Sequence, residues 1–277
     1  MISGKTLLIA HLGYPTEAFK APMIYNPWFA QQGIDAVVVP MGVKAEDYPA
    51  ALAALARVTN LHGALVTMPH KVTTLGLADE VTATARVAGA CNALLLRPDG
   101  TWLGDQFDGA GFVRGALRKG CRIDGARAMV VGAGGVGCAI AASLAAAGIA
   151  EIALFDRHAP SAEALRARLL EHHPRLVATT GANDPFGYDI VVNATPLGMR
   201  AGDPLPFDVD RVAASSFVGE VVMATEYTPL LQAARAKGCR VQVGTDMLFE
   251  MIPAYLEFFG FGTATADELR AVAAIRY

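Results

Sequence analysis

Ala128-Met129-Val130-Val131-Gly132-Ala133-Gly134-Gly135-Val136-Gly137 constrains this chain more than any other stretch. A short apolar, β-branched run leads into G-x-G-x-x-G, and an alanine-rich run from Cys138 to Ala147 follows with good helix propensity. Gly132 allows the tight turn, Gly134 lets the backbone approach a pyrophosphate, and Gly137 lets helix and strand pack closely. N–H groups at the helix start, from Gly135 and Val136 onward, then meet the phosphates. A second apolar run, Ile152 to Phe155, ends in Asp156, about the distance on at which an acidic residue grips a ribose. Strand, loop, helix, strand and acid in that order predict a dinucleotide site. A glycine-rich turn without a ligand is the simpler alternative. The motif is preceded by 131 residues, enough for a whole unit in which a substrate is handled.

The 277 residues are comfortable for two domains. Hydrophobic residues at 53% and charged residues at 18% fit an α/β protein with buried sheets. No apolar run approaches the ~20 residues that span a bilayer. The net charge of −3, without a basic stripe, argues against nucleic acid as a partner. No basic segment followed by a long apolar core marks a leader. The four cysteines, Cys91, Cys121, Cys138 and Cys239, are scattered and read as core residues of a reducing compartment. The expected location is therefore cytoplasmic. Adjacent His172 and His173 cannot face one point on a helix, and no metal site is expected. Nothing in the sequence sets the number of subunits; a homodimer is one assembly open to it.

Leu7 to His11, Ala36 to Val39 and Ala64 to Thr67 are short apolar runs of the kind buried parallel strands show. Pro22 to Gln32 and Ala45 to Val58 are helical between them, the first opened by Pro22 and closed by Gly33. Ala93 to Leu96 and Thr101 to Leu103 flank Pro98-Asp99-Gly100, a hairpin signal that delivers Asp105 and Asp108 at its exit. Beyond Gly109 a helix leads into a β–α alternation with strands at Ile190 to Val192, Phe217 to Val222 and Arg240 to Val243. The residues from Asp246 on are helical in pattern and are expected to return to the first domain. The fold class is α/β in two domains: a substrate domain of residues 1–107 plus 244–277, and a doubly wound, Rossmann-type domain of residues 108–243.

Lys71 stands out among the six lysines because it follows a strand end and a turn, Val66-Thr67-Met68-Pro69-His70-Lys71. Residues at the carboxyl ends of parallel strands face the ligand crevice of an open α/β sheet. Asp108 leaves the hairpin where the chain passes into the nucleotide domain. A lysine and an aspartate meeting at a substrate hydroxyl can exchange its proton as hydride moves to a nicotinamide. An ion pair capping a helix is the other reading that the spacing leaves open.

Several motifs, in order, resemble the shikimate/quinate dehydrogenase family from near the N-terminus to about residue 260. Gly63-Ala64-Leu65-Val66-Thr67-Met68-Pro69-His70-Lys71 is similar to the family's G-x-N-V-T-x-P-x-K, and Ala88-Gly89-Ala90-Cys91-Asn92 to A-G-A-x-N. Gly104-Asp105-Gln106-Phe107-Asp108-Gly109 resembles G-D-N-T-D-G, and Asn193-Ala194-Thr195-Pro196-Leu197-Gly198-Met199 resembles N-A-T-x-x-G-M. Thr228-Pro229-Leu230-Leu231 and Gly244-Thr245-Asp246-Met247-Leu248 resemble T-P-L-L and G-x-x-M-L. The resemblance implies a catalytic Lys71 and Asp108, with Thr67 and Asn92 on the substrate. It also implies that Thr195, Pro196, Met199, Gly244 and Met247 lie by the nicotinamide. A ring hydroxyl would be oxidised to a ketone, with hydride passing to NAD or NADP.

The departures cluster in the substrate shell. The two serines of the family's S-x-S-P are Phe19 and Ala21, the Asn of N-V-T is Leu65, and the Thr of N-T-D-G is Phe107. An expected Tyr aligns with Met223, and an expected Gln with Met251. Each lost hydrogen bond to a polyhydroxylated acid costs ~1–3 kcal/mol, more where charge is involved. The leading expectation is thus a dehydrogenase for a cyclic hydroxy-compound less polar than shikimate. Ordinary shikimate or quinate turnover through a rearranged pocket is an alternative, and a non-catalytic NAD sensor is another. Asp156 favours NAD over NADP by repelling a 2′-phosphate, although Arg157 beside it can hold that phosphate.

Overall fold

A computed structural model describes residues 2–276, which form two compact units. One comprises the residues up to Phe107 with Met251–Arg276, and the other is Asp108–Glu250.

The first unit opens with β1 (Leu7–Gly13), α1 (Pro22–Gln32), β2 (Ala36–Gly42), α2 (Tyr48–Leu55) and β3 (Leu61–Val66), whose strands are parallel. Next come α3 (Lys71–Leu77), β4 (Glu80–Val81), α4 (Ala83–Ala88), β5 (Ala93–Leu96) and β6 (Trp102–Asp105). The strand order is β2-β1-β3-β5-β6-β4, with β5 antiparallel to both neighbours. The expected Pro98-Asp99-Gly100 turn joins β5 to β6, closed by the Arg97 N–H on the Thr101 carbonyl at 2.9 Å. Helix α1 has its predicted bounds, with Pro22 in its first turn and Gly33 left-handed at its end. Helix α2 is shorter than the Ala45 to Val58 pattern suggested, because Pro49 fixes its first turn.

The two faces of this sheet differ. One carries an apolar cluster that includes Ala10 and Leu12 of β1 with Ala64 and Val66 of β3. Side chains alternate along a strand, so Ile9, His11 and Gly13 look the other way. That second face meets an aromatic layer: a Cβ on Gly63 would lie 2.6 Å from the Phe259 ring, and Tyr255 packs edge-on to Tyr25 at 6.5 Å.

The second unit runs α5 (Asp108–Arg118), β7 (Arg127–Val131), α6 (Gly135–Ala146), β8 (Glu151–Phe155), α7 (Ala159–His172), β9 (Val177–Thr180), β10 (Ile190–Asn193), β11 (Phe217–Glu220), α8 (Pro229–Ala236) and β12 (Arg240–Gln242). Its strands are all parallel, in the order β12-β11-β10-β7-β8-β9. This is the doubly wound order, with its switch point between β7 and β10, where dinucleotides bind beyond the strands' carboxyl ends. Strand β11 stops at Glu220, short of the expected Val222, where β12 has already run out of partners.

The chain closes with α9 (Gly244–Phe258) and α10 (Ala266–Val272). The expected return at residue 244 comes instead at Met251, since the first seven residues of α9 belong to the second unit. Thr265 and Glu268 form a capping box on α10, which packs on α1. The Ala274 N–H bonds the Met23 carbonyl at 2.9 Å, and the Lys20 ammonium bonds the Arg276 carbonyl. Among the described residues, no helix is long and apolar enough to cross a membrane, and no group of three His, Cys, Asp or Glu residues could hold a metal.

Candidate active site

Within the first unit, the motif segments converge on Asn92, which is fully buried. Its N–H donates to the Asp105 carbonyl at 2.9 Å, and its carbonyl accepts from the Val66 N–H at 2.8 Å and the Tyr255 hydroxyl at 3.0 Å. The Phe107 N–H donates to Asn92 Oδ1 at 3.0 Å. That bond orients the amide, and Asn92 Nδ2 has no hydrogen-bond partner among the described residues. The Cys91 N–H binds the Lys71 carbonyl at 2.9 Å, so Lys71, the buried first residue of α3, lies beside this segment. The turn before it is set by His70, whose ring stacks on Tyr48 at 3.9 Å and whose Nε2 donates to the Val43 carbonyl at 2.8 Å. Burial lowers the pKa of His70, so the ring is a neutral structural brace.

The apolar replacements occupy definite places. The Phe19 ring stacks on His11 at 4.1 Å, and Ala21 is buried at the start of α1. Leu65 is buried in β3, in register with His11 of β1. Phe107 packs edge-on to Tyr255 at 4.8 Å and Phe258 at 5.5 Å, and Met251 is buried in α9. Asp105, the other acid leaving the hairpin, is committed to structure: it accepts from the Thr82 hydroxyl at 2.5 Å and the Gln106 N–H at 2.7 Å.

In the second unit, the glycine loop has the geometry its spacing predicts. Gly132 has a φ of 108°, and a Cβ there would lie 2.7 Å from the Ala194 carbonyl oxygen. A Cβ on Gly137 would lie 1.8 Å from the Gly132 carbonyl oxygen, so α6 can meet β7 only without one. Gly134 is exposed, and a Cβ there would meet nothing within 4 Å. The loop thus leaves room for a phosphate over the first N–H groups of α6, at Gly135, Val136 and Gly137, and these residues fit a dinucleotide. Asp156 follows β8. Its Oδ2 accepts from the Ala133 N–H at 2.7 Å and its Oδ1 from the His158 N–H at 2.8 Å, while Arg157 is exposed.

Asp108, almost fully buried, opens α5. Gly109 behind it brings α5 against α6, since a Cβ there would lie 2.0 Å from the Ala139 carbonyl oxygen. The Asn193 side chain shapes the next motif: its Oδ1 accepts from Thr195 Oγ1 at 2.7 Å, and its Nδ2 donates to the Leu197 carbonyl at 3.0 Å. Pro196 is exposed, and Met199 and Met223 are half-buried. Gly244 and Met247 are buried at the start of α9, with a Gly244 Cβ position 2.2 Å from the Val222 carbonyl oxygen.

Three residues of these surroundings escape motif reading. His11 signals itself only as a lone polar side chain in the apolar strand LLIAHLG. Tyr255 gives no signal at all. Glu220 is the acid that ends β11; it is fully buried, accepts from the Thr228 hydroxyl at 2.9 Å, and its pKa is pushed up to about 7 by burial.

Known proteins share the sequence pattern and fold of this chain. Residues 12–94 match the shikimate dehydrogenase substrate binding domain, and residues 117–170 match the ThiF family. The shikimate dehydrogenase (NADP(+)) of Acidiphilium cryptum (strain JF-5) is 36% identical over 277 residues, 99% of this chain and 98% of that protein. Shikimate 5-dehydrogenase from Listeria monocytogenes, solved with shikimate and NAD, is 26% identical with a TM-score of 0.86, over 98% of this chain and 97% of that one. Ligand-free 5-ketofructose reductase of Gluconobacter sp. strain CHM43 is also 26% identical, with a TM-score of 0.83 over 98% of each chain. Fold and site together define an NAD(P)-dependent alcohol dehydrogenase with a substrate unit and a Rossmann-type unit. The chain belongs to the shikimate dehydrogenase family.

The buried Glu220 gives stability a pH dependence. The unfolded chain releases this proton near the usual 4.5 and the folded chain only near 7, so the folded state holds more protons in between. Its contribution to stability therefore declines as pH rises through that window. In thermal melts across it, Glu220→Gln is expected to flatten the decline and to be more stable than the parent above pH 7.

Proposed function

We propose that this enzyme oxidises a ring hydroxyl of a cyclic substrate less polar than shikimate, and that it favours NAD over NADP. The bound nicotinamide supplies the hydride acceptor. Lys71 and Asp108 carry the proton chemistry: one takes the hydroxyl proton as the carbonyl forms, and the charge of the other holds the group in place. Thr67 and Asn92 orient the substrate, with the unpartnered Asn92 Nδ2 as a donor to a substrate oxygen. Thr195, Pro196, Met199, Gly244 and Met247 form the nicotinamide side.

The observation that carries the substrate reading is the apolar lining. Where a carboxylate and hydroxyl grip is expected, Phe19, Ala21, Leu65, Phe107 and Met251 present only carbon or a weakly accepting sulfur. Phe19 stacks within the unit and Leu65 and Ala21 are buried there. A desolvated carboxylate without partners is strongly disfavoured. A relative named for a ketose, 5-ketofructose reductase, supports the view that this scaffold can serve a substrate without a carboxylate. Restoring both serines, Phe19→Ser with Ala21→Ser, is expected to raise kcat/KM for shikimate, mainly through a lower KM. Efficient shikimate oxidation by the unaltered protein, about 10⁴ M⁻¹s⁻¹ or better, would overturn the substrate reading.

Lys71→Ala is expected to lower turnover by about 10²–10⁴-fold with little change in cofactor dissociation constant. Near-parental turnover in that variant would reduce Lys71 to structure.

The cofactor preference rests on Asp156. Each of its oxygens already accepts one backbone N–H, which fixes the carboxylate beside the glycine loop. A fixed negative charge there can accept from ribose hydroxyls and repels a 2′-phosphate. Asp156→Asn keeps an acceptor for the loop and removes the charge, so NADP binding should tighten by about tenfold relative to NAD. Dissociation constants from nicotinamide fluorescence check this, and tighter NADP than NAD binding by the parent would overturn it.

A further inference from the structure

The polar residue that the resemblance expects at position 65 is absent from β3, yet the strand beside it carries one. His11 of β1 stands in parallel register with Leu65. It shares a face with Gly13. There a Cβ would lie 2.4 Å from Thr67 Cγ2 and 2.8 Å from Phe19 Cζ. His11, Phe19 and Thr67 thus line one place, and the Lys71 charge is felt there. The side chain of His11 is more than nine-tenths buried, and its Nδ1 has no hydrogen-bond partner among the described residues. Buried polar nitrogens in native proteins have partners, so an enclosed one without any marks a place where a ligand or water completes it. Phe19 covers a face of the ring, and imidazole hydrogen bonds form at its edge.

We propose that His11 is a specificity-determining residue of the substrate pocket, hydrogen-bonding an uncharged oxygen of the substrate, a hydroxyl or a carbonyl, in place of a carboxylate grip. The proposal rests on the reading that the enzyme's substrate is not shikimate. Burial and the Lys71 ammonium lower the His11 pKa to about 3, so at neutral pH the ring offers one donor and one acceptor but no charge. Phe19, Ala21 and Leu65 add no polar atom, and Lys71 is committed to the reacting hydroxyl. One neutral nitrogen satisfies a hydroxyl or carbonyl; a carboxylate needs charge or several donors.

The test uses the full chain saturated with nicotinamide cofactor and three probes: shikimate, its methyl ester and 5-ketofructose. In protein with isotope-labelled histidine, an uncharged probe is expected to shift the His11 ring-nitrogen resonance, and shikimate is not. His11→Val is expected to raise KM for that uncharged probe about tenfold with kcat little changed, and His11→Asn to recover part of the loss. If His11→Val does not fold, the KM change is read on His11→Asn, while the resonance experiment on the parent stands by itself. A resonance unmoved by both uncharged probes, or an unchanged KM in the variants, overturns the role of His11. Efficient turnover of shikimate by the parent overturns the underlying substrate reading instead. The two failures are therefore told apart.

Discussion

Asn92 is the residue on which the substrate unit turns. Its backbone joins β3 to the hairpin and its carbonyl receives the Tyr255 hydroxyl, while its side chain holds the Phe107 N–H. These bonds are made in a fully buried setting, where an unmade one would cost ~1–3 kcal/mol. They bring four stretches of chain, far apart in sequence, to one point. The amide is left with a single orientation, one whose donor end is unmatched among the described residues. One end of this side chain is thus bound into the fold, and the other is held ready to donate.

The second unit was more legible than the first. Gly132 and Gly137 each meet a steric demand that sequence spacing alone is enough to state, and the order of strand, turn and helix does the rest. The hairpin at Pro98-Asp99-Gly100 and the bounds of α1 were equally plain, because turn and cap chemistry is local. What stayed hidden depends on neighbours remote in the chain. The register of β1 with β3, the Tyr255 hydroxyl on Asn92, and the burial that raises Glu220 are tertiary facts. The short β4 and the point where α9 changes units are likewise set by pairing and packing, with no periodic pattern to announce them.

The positions that depart from the family motifs show how a scaffold tolerates change. Phe19 and Phe107 do not stand idle where smaller polar residues are expected; one stacks on His11, and the other joins the aromatic layer with Tyr255 and Phe258. Each ring gains dispersion and loses the capacity to bond a polar ligand. These positions are thus packed rather than merely depleted, and restoring polarity there leaves space as well as hydroxyls.

The tail that closes α10 onto α1 also sets an order of events. The first unit is discontinuous: its early strands wait for Met251–Arg276, the Lys20 tether to the Arg276 carbonyl included. The second unit is one continuous stretch, made in full before those last residues are added. Synthesis runs from N- to C-terminus and units fold as they become complete. The nucleotide unit is therefore complete in sequence first, and the substrate unit, split on either side of it, cannot close until Met251–Arg276 join its early strands.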